Sequence, residues 1–137
     1  MDDDTERLTT LRDITAGFDG HELDAILQHF ADDAVFESPR GPDRWGQRFA
    51  GKKAIRSAFA GRFAGIPDVR SRQDKHFVAG NRGASEWTLT GSTAAGERLE
   101  IRGCDLWTFR DGWVVKKDSY WKIRTVPPPE QPEELQR

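Results

Sequence analysis

The chain has 137 residues and a formal net charge of −2, which fits one domain with a buried core. Its 21 basic and 23 acidic residues are mixed and form no basic stripe, so no nucleic-acid partner is expected. No apolar run approaches the length of a membrane span, the N-terminus is acidic and there is one cysteine; these features favour a cytoplasmic protein without a membrane partner.

Periodic apolar residues predict three helices in the first half of the chain. The first covers about residues 5–18, and the second follows Asp19, which is expected to cap it. The second helix is expected to include Leu23, Ile26, Leu27 and Phe30 and to end at Asp32-Asp33. A short strand over 34–38, stopped by Pro39, and a loop over 40–48 precede the third helix, which begins after Gly51.

From Asp68 onward the pattern changes to strands separated by Gly-containing turns. The candidate strands are 69–72, 76–79, 85–91, 98–109 and 113–123. Helices followed by such a run predict an α+β fold, with helices on one face of a curved antiparallel sheet. Four prolines among Glu and Gln predict that residues 126–137 form a mobile tail, which leaves residues 1–125 as a single domain.

Asp105 is the first candidate for chemistry. In a strand its side chain shares a face with Trp107 and Phe109, and a charged carboxylate is costly to bury on an aromatic face. Asp105 should therefore be protonated, partnered or at the mouth of a cavity. Desolvation is expected to favour the neutral acid, so that Asp105→Asn leaves the fold intact. The open alternative is an edge-strand Asp that points to water.

Other polar residues give weaker signals. The three histidines and the single cysteine have no metal-ligand spacing, so neither a metal nor a cofactor is expected. His76 is a candidate second acid/base group, with a structural histidine as the alternative. Cys104 alternates with Asp105 and is expected to be a structural thiol. In the strand around residue 87, either Trp87 or Glu86 can face the helices, and we favour Trp87.

Three segments of the chain resemble the nuclear transport factor 2-like superfamily. They are the run FADDAVFESP over 30–39, GKKAIR over 51–56, and the closing hairpin from Asp105 to Trp121, which is similar to that of ketosteroid isomerases and SnoaL-like polyketide cyclases. The resemblance covers about residues 5–123. It implies a cone-shaped sheet wrapped around N-terminal helices and a pocket, a cystatin-like α+β barrel, but no particular reaction.

The resemblance carries over only in part to the family's catalytic residues. Asp105 matches the sheet Asp that donates to the substrate oxyanion in ketosteroid isomerases. Ser38 stands where those enzymes have their general base, and Ile14 where they have a tyrosine, so we do not expect a ketosteroid isomerase. Gly103 replaces the Arg of epoxide hydrolases of this fold. SnoaL-like cyclases use the sheet Asp or a nearby His, which this sequence allows.

The sequence predicts a cofactor-independent enzyme that performs proton-transfer chemistry (cyclisation, isomerisation, dehydration or hydrolysis) on a small apolar molecule. The alternative is a non-catalytic ligand-binding or dimeric assembly module. A cavity of roughly 300 Å3 or more at Asp105 would favour a ligand function. A homodimer is expected through the outer sheet face, which should carry Leu106, Val114 and Tyr120. The residues expected to shape the pocket are Phe36, Ser38, Trp45, Phe59, Trp87, Trp107 and Trp121.

Overall fold

The computed structural model describes residues 3–125, apart from the side chain of Gln73. The predicted tail over 126–137 lies outside the described residues. Within residues 3–125, three helices and six strands follow one another: α1 (Asp3–Asp19), α2 (Leu23–Leu27), β1 (Phe30–Asp43), β2 (Gly46–Ala50), α3 (Lys52–Gly65), β3 (Arg70–Ala79), β4 (Arg82–Ser92), β5 (Arg98–Arg110) and β6 (Trp113–Trp121). The α+β fold with N-terminal helices is therefore confirmed.

The strands form one curved sheet in the order β2-β1-β6-β5-β4-β3. Because β2 and β3 are its two edges, the sheet is not closed into a complete barrel. Four of the five neighbouring pairs are antiparallel, but β1 runs parallel to β6. The expected purely antiparallel sheet is wrong at this one pair. The chain between β1 and β6 is long enough to bring the last strand back beside the first in the same direction.

The junction between α2 and β1 differs from the prediction. Helix α2 ends at Leu27, and Phe30 begins a strand in which it pairs with Val114 of β6. A short apolar run fits a helix or a strand equally well, and here pairing with β6 decides for the strand. Strand β1 also continues past Pro39 into a hairpin with β2, where the prediction had a loop. The register between β1 and β2 shifts after Ser38, so the ladder needs no hydrogen bond from Pro39.

The helices pack on the concave face of the sheet and close the core. Gly17 lets α1 approach α2, because a Cβ there would lie 2.8 Å from Cγ1 of Ile26. The predicted cap of α2 by Asp19 is wrong, because no side-chain hydrogen bond caps this helix. The Asp19 side chain instead accepts a hydrogen bond from the backbone N–H of Ser71. Among the described residues, no helix is both long and apolar enough to cross a membrane. The fully buried apolar side chains include Leu11, Ile14, Ile26, Ile55 and Val114.

Strand β6 changes face near its start. Lys117, Ser119 and Trp121 point to the core side and Tyr120 points outward, as their alternation predicts. Val114, however, is fully buried, so its predicted place on the outer face is wrong. The register with β5 shifts between the pairs Thr108–Lys116 and Phe109–Val114, leaving one extra residue in β6. Such a bulge reverses the side-chain alternation beyond it.

Candidate functional site

Asp105 lies in the middle of the sheet and is 6% exposed. One carboxylate oxygen, Oδ1, accepts hydrogen bonds from Ser119 Oγ at 2.5 Å and Lys117 Nζ at 3.1 Å. The other, Oδ2, accepts one from Trp87 Nε1 at 2.9 Å. The alternative of a water-facing edge Asp is wrong, because β5 is a central strand. Asp105 was expected to be protonated, partnered or at the mouth of a cavity, and the structure gives it partners. Donors on both oxygens suit the ionised carboxylate rather than the neutral acid.

Lys117 is the partner, and it is 7% exposed. Its Nζ also donates to Ser119 Oγ at 2.7 Å. Four rings surround the ammonium, with centroids 4.7–5.7 Å from Nζ: Phe18, Phe36, Phe59 and Trp107. Burial lowers the pKa of Lys117, while the Asp105 carboxylate opposes that shift. An ammonium has three N–H donors, and two of them are used in hydrogen bonds to Asp105 and Ser119 within the described part of the chain.

The sequence analysis named no lysine among the site residues and therefore missed Lys117. A signal was present, because Lys117 has the same parity as Ser119 and Trp121 on a strand whose inner face was assigned to the pocket. The register explains the contact: Ser119 lies directly opposite Asp105, and Lys117 opposite Trp107. Diagonal neighbours in adjacent strands are within reach of a long side chain.

Trp87 faces inward and Glu86 outward, as favoured. In β4, Trp87 lies opposite Gly103 of β5. The indole covers the place where a side chain at residue 103 would be, since a Cβ there would lie 2.5 Å from Cη2 of Trp87. Glycine at 103 therefore gives Trp87 the room to reach Asp105. Cys104 points the other way, is half-buried, and has a thiol pKa raised by burial, which does not favour a nucleophile.

A cavity of about 100 Å3 adjoins the Asp105 cluster. It is smaller than the cavity of roughly 300 Å3 that would favour a ligand function. It is also smaller than the ~150 Å3 cavity that holds benzene in an engineered protein core. Its walls are mainly apolar, with α1, α3 and the sheet all contributing. The predicted residues that line it are Phe36, Phe59, Trp87, Asp105, Trp107 and Trp121.

Three predicted site residues are not brought to this cavity. Ser38 donates its hydroxyl to the Arg40 carbonyl at 2.8 Å, within the β1–β2 hairpin. Trp45 lies in the turn of that hairpin, where its ring is 4.4 Å from the Arg48 guanidinium, and it does not line the cavity. His76 lies on β3, two strands from Asp105. Hairpin geometry, which the sequence did not indicate, determines the first two positions.

His76 is linked to the cavity through a hydrogen-bond chain. Its Nδ1 lies 2.7 Å from Ser85 Oγ, and Trp107 Nε1 donates to the same hydroxyl at 2.9 Å. Because Trp107 supplies a donor, the Ser85 hydroxyl can donate to a neutral His76. Burial lowers the pKa of His76, whereas nearby Asp74 opposes the shift. This hydrogen-bond chain connects His76 to the indole of Trp107, which lines the cavity. Among residues 3–125, no cluster of three His, Cys, Asp or Glu side chains could hold a metal ion.

The sequence-family model of the SnoaL-like domain matches residues 11–117 of this chain. The chain belongs to the SnoaL-like domain family. This match covers α1 from Leu11 onward, the hairpin, α3 and the sheet through Lys117, and so includes both members of the buried ion pair. No curated protein sequence matches the chain closely enough to be counted as a relative.

Solved structures with the same fold agree with this assignment. A proposed polyketide cyclase from Xanthomonas campestris is 18% identical with a TM-score of 0.79, over 88% of this chain and 93% of that one. A nuclear transport factor 2-like protein of unknown function from Mesorhizobium loti is 27% identical with a TM-score of 0.74, over 90% and 96%. TerC, co-crystallised with polyporic acid, is 18% identical with a TM-score of 0.75, over 85% and 92%. The SnoaL-like fold inferred from the sequence is thus confirmed.

Proposed function

We propose that this SnoaL-like domain binds a small, largely apolar organic molecule in the cavity and catalyses proton transfer on it without a cofactor. The observation that carries the proposal is the buried cluster of Lys117, Asp105 and Ser119 beside an aromatic cavity. A buried ion pair often stabilises a fold less than apolar residues of similar volume would. Its presence beside the cavity therefore favours a chemical role.

Lys117 and Asp105 would act as one unit. The third N–H of Lys117 would donate to a carbonyl oxygen of the ligand and stabilise the negative charge that develops there. The neighbouring carbon would lose its proton to the carboxylate of Asp105, which also lines the cavity. Asp105 and Ser119 would hold the ammonium in place through their contacts with it. Aldol-type cyclisation, isomerisation of a double bond beside a carbonyl, and loss of water from a β-hydroxy carbonyl compound all pass through such an enolate. The co-crystallisation of TerC with polyporic acid is further support for a ligand in this fold.

Lys117→Met is expected to lower proton exchange at the carbon next to a bound carbonyl at least tenfold, because the donor to the developing oxyanion is lost. The probe is acetophenone in D2O, whose methyl-proton exchange is followed by NMR. The exchange rate in the presence of the wild-type protein should exceed the rate in buffer alone. Lys53→Met, which removes an exposed lysine from α3, is the matched control and should retain the wild-type rate. Equal rates for wild type and Lys117→Met would contradict the catalytic proposal.

The small cavity favours a second candidate function, a non-catalytic ligand-binding or assembly module. At about 100 Å3 it is smaller than the ~150 Å3 cavity that holds benzene, so an aromatic ring enters only if side chains move. Binding of acetophenone to the wild type without faster exchange than in buffer would support this candidate, and an absence of binding would leave the assembly role.

We also infer a homodimer through the outer sheet face. Phe77 and Tyr120 are 58% and 52% exposed there, and Phe77 lies opposite Ala84, itself opposite Leu106. A partner would cover this apolar strip. Sedimentation velocity at micromolar concentration should give twice the chain mass of 15.5 kDa. Phe77→Lys should give monomers, whereas Ile123→Lys, exposed beyond the end of β6, should not; a monomeric wild type would refute the dimer.

A further inference from the structure

Arg62 lies in the last turn of α3 and lines the cavity beside Trp121. Its guanidinium carbon is 4.6 Å from the centroid of the Trp121 ring. A guanidinium stacked on a ring keeps its N–H donors, which lie in its own plane, available at its edges. Within residues 3–125, no carboxylate oxygen comes within 4.0 Å of Arg62 to form an ion pair. Other arginines do have such partners: Arg48, Arg56, Arg70 and Arg110.

The nearest charges do not neutralise Arg62. Burial lowers its pKa, Asp105 acts in the opposite direction from a distance, and Arg40 adds to the lowering. Asp105 is already in contact with Lys117, Ser119 and Trp87. Because arginine remains protonated in proteins, Arg62 is a half-buried cation whose hydrogen-bonding edges are free for an anion.

The surface around this side of the cavity is also positive. A second groove, of about 520 Å3, shares Pro39 and Trp121 with the cavity walls. Its charged lining residues are Arg40, Arg98, Lys122 and Arg124 against Glu97 and Glu100. The excess of basic groups favours the approach of a negatively charged molecule toward Arg62.

We propose that the ligand of this cavity is an aromatic or apolar carboxylate, and that Arg62 is the specificity-determining residue that binds its carboxylate. This inference rests on the proposed small-molecule pocket. The planar fork of a guanidinium matches a carboxylate with two parallel hydrogen bonds. The apolar body would lie among the rings of Phe18, Phe36 and Phe59, with the carboxylate toward Trp121. Lys117 would meet a polar atom at the opposite end of the ligand.

Benzoate and benzamide separate charge from shape, since they have nearly the same size. NMR titration of the tryptophan indole N–H signals, at low ionic strength, should show wild type binding benzoate at least tenfold more tightly than benzamide. Arg62→Gln should remove this preference, so that the dissociation constants for benzoate and benzamide become nearly equal. Arg56→Gln is the matched control, because Arg56 lies on the same helix but pairs with Asp24. That variant should keep the preference for benzoate.

Two outcomes would overturn the inference. They are equal binding of benzoate and benzamide by wild type, and an undiminished preference in Arg62→Gln. In both cases the bound benzamide would leave the small-molecule pocket itself supported. If neither probe nor acetophenone binds, the pocket proposal fails together with this one. Arg62→Lys keeps the charge but loses the fork, so it should retain only part of the preference, and it provides the same comparison if Arg62→Gln does not fold.

Discussion

Asp105→Asn is expected to lower the free energy of unfolding by about 3–5 kcal/mol, the range for breaking a buried ion pair by removing one partner. The asparagine would leave the buried ammonium of Lys117 without a counter-charge. Its amide also has only one acceptor oxygen, whereas Asp105 accepts hydrogen bonds on both. This reverses the expectation drawn from the aromatic surroundings alone, that Asn would leave the fold intact. Urea denaturation at pH 7 measures the difference.

The matched control is Asp33→Asn. Asp33 also pairs with a cation, Arg110, but both side chains are exposed, so the denaturation midpoint should barely move. A double variant, Asp105→Asn with Lys117→Met, should recover part of the lost stability because no buried charge then remains unpaired. If Asp105→Asn and Asp33→Asn shift the midpoint equally, the buried pair does not stabilise the fold as described.

Gly103→Ala should destabilise the fold by about 1–3 kcal/mol or more, the range for overpacking a filled interior. The added Cβ would lie 2.5 Å from Cη2 of Trp87 and still closer to the backbone oxygen of Tyr120, which cannot easily move. Trp87 would have to leave its place, and Asp105 would then lose the hydrogen bond on Oδ2. Thermal unfolding measures the loss, and the indole N–H signal of Trp87 reports the displacement.

Gly61→Ala is the control for Gly103→Ala. Gly61 lies inside α3, and a Cβ there meets nothing within 4 Å. Alanine should therefore stabilise the helix by roughly 0.5–1 kcal/mol. Opposite signs for the two glycine substitutions are the expected pattern. A Gly103→Ala protein with wild-type stability and an unshifted Trp87 signal would show that the space beneath the indole is not limiting.

The local residue pattern was enough to predict most of the side chains on the inward face of the sheet. Strict alternation placed Asp105 with Trp107 and Tyr120 outside, and both assignments are confirmed. Alternation allowed either Trp87 or Glu86 to face the helices, and the favoured Trp87 is the one that does. The same rule failed at Val114, because alternation holds only while the register is unbroken and the bulge in β6 is not visible in the local pattern. Phe30 was assigned to a helix for a related reason: its partner strand lies far along the chain.

The sequence by itself determined the fold, through the helix–strand order and the run from Phe30 to Pro39, and it singled out Asp105 as the polar residue among rings. Only the tertiary structure decided that Lys117 neutralises Asp105, that Arg62 stacks on Trp121, and that Trp45 and Ser38 stay outside the cavity. Alternation along one strand is local and can be read from neighbouring residues. Which charges meet, and how much space is left between rings, depends on register and packing between segments that are distant in the chain.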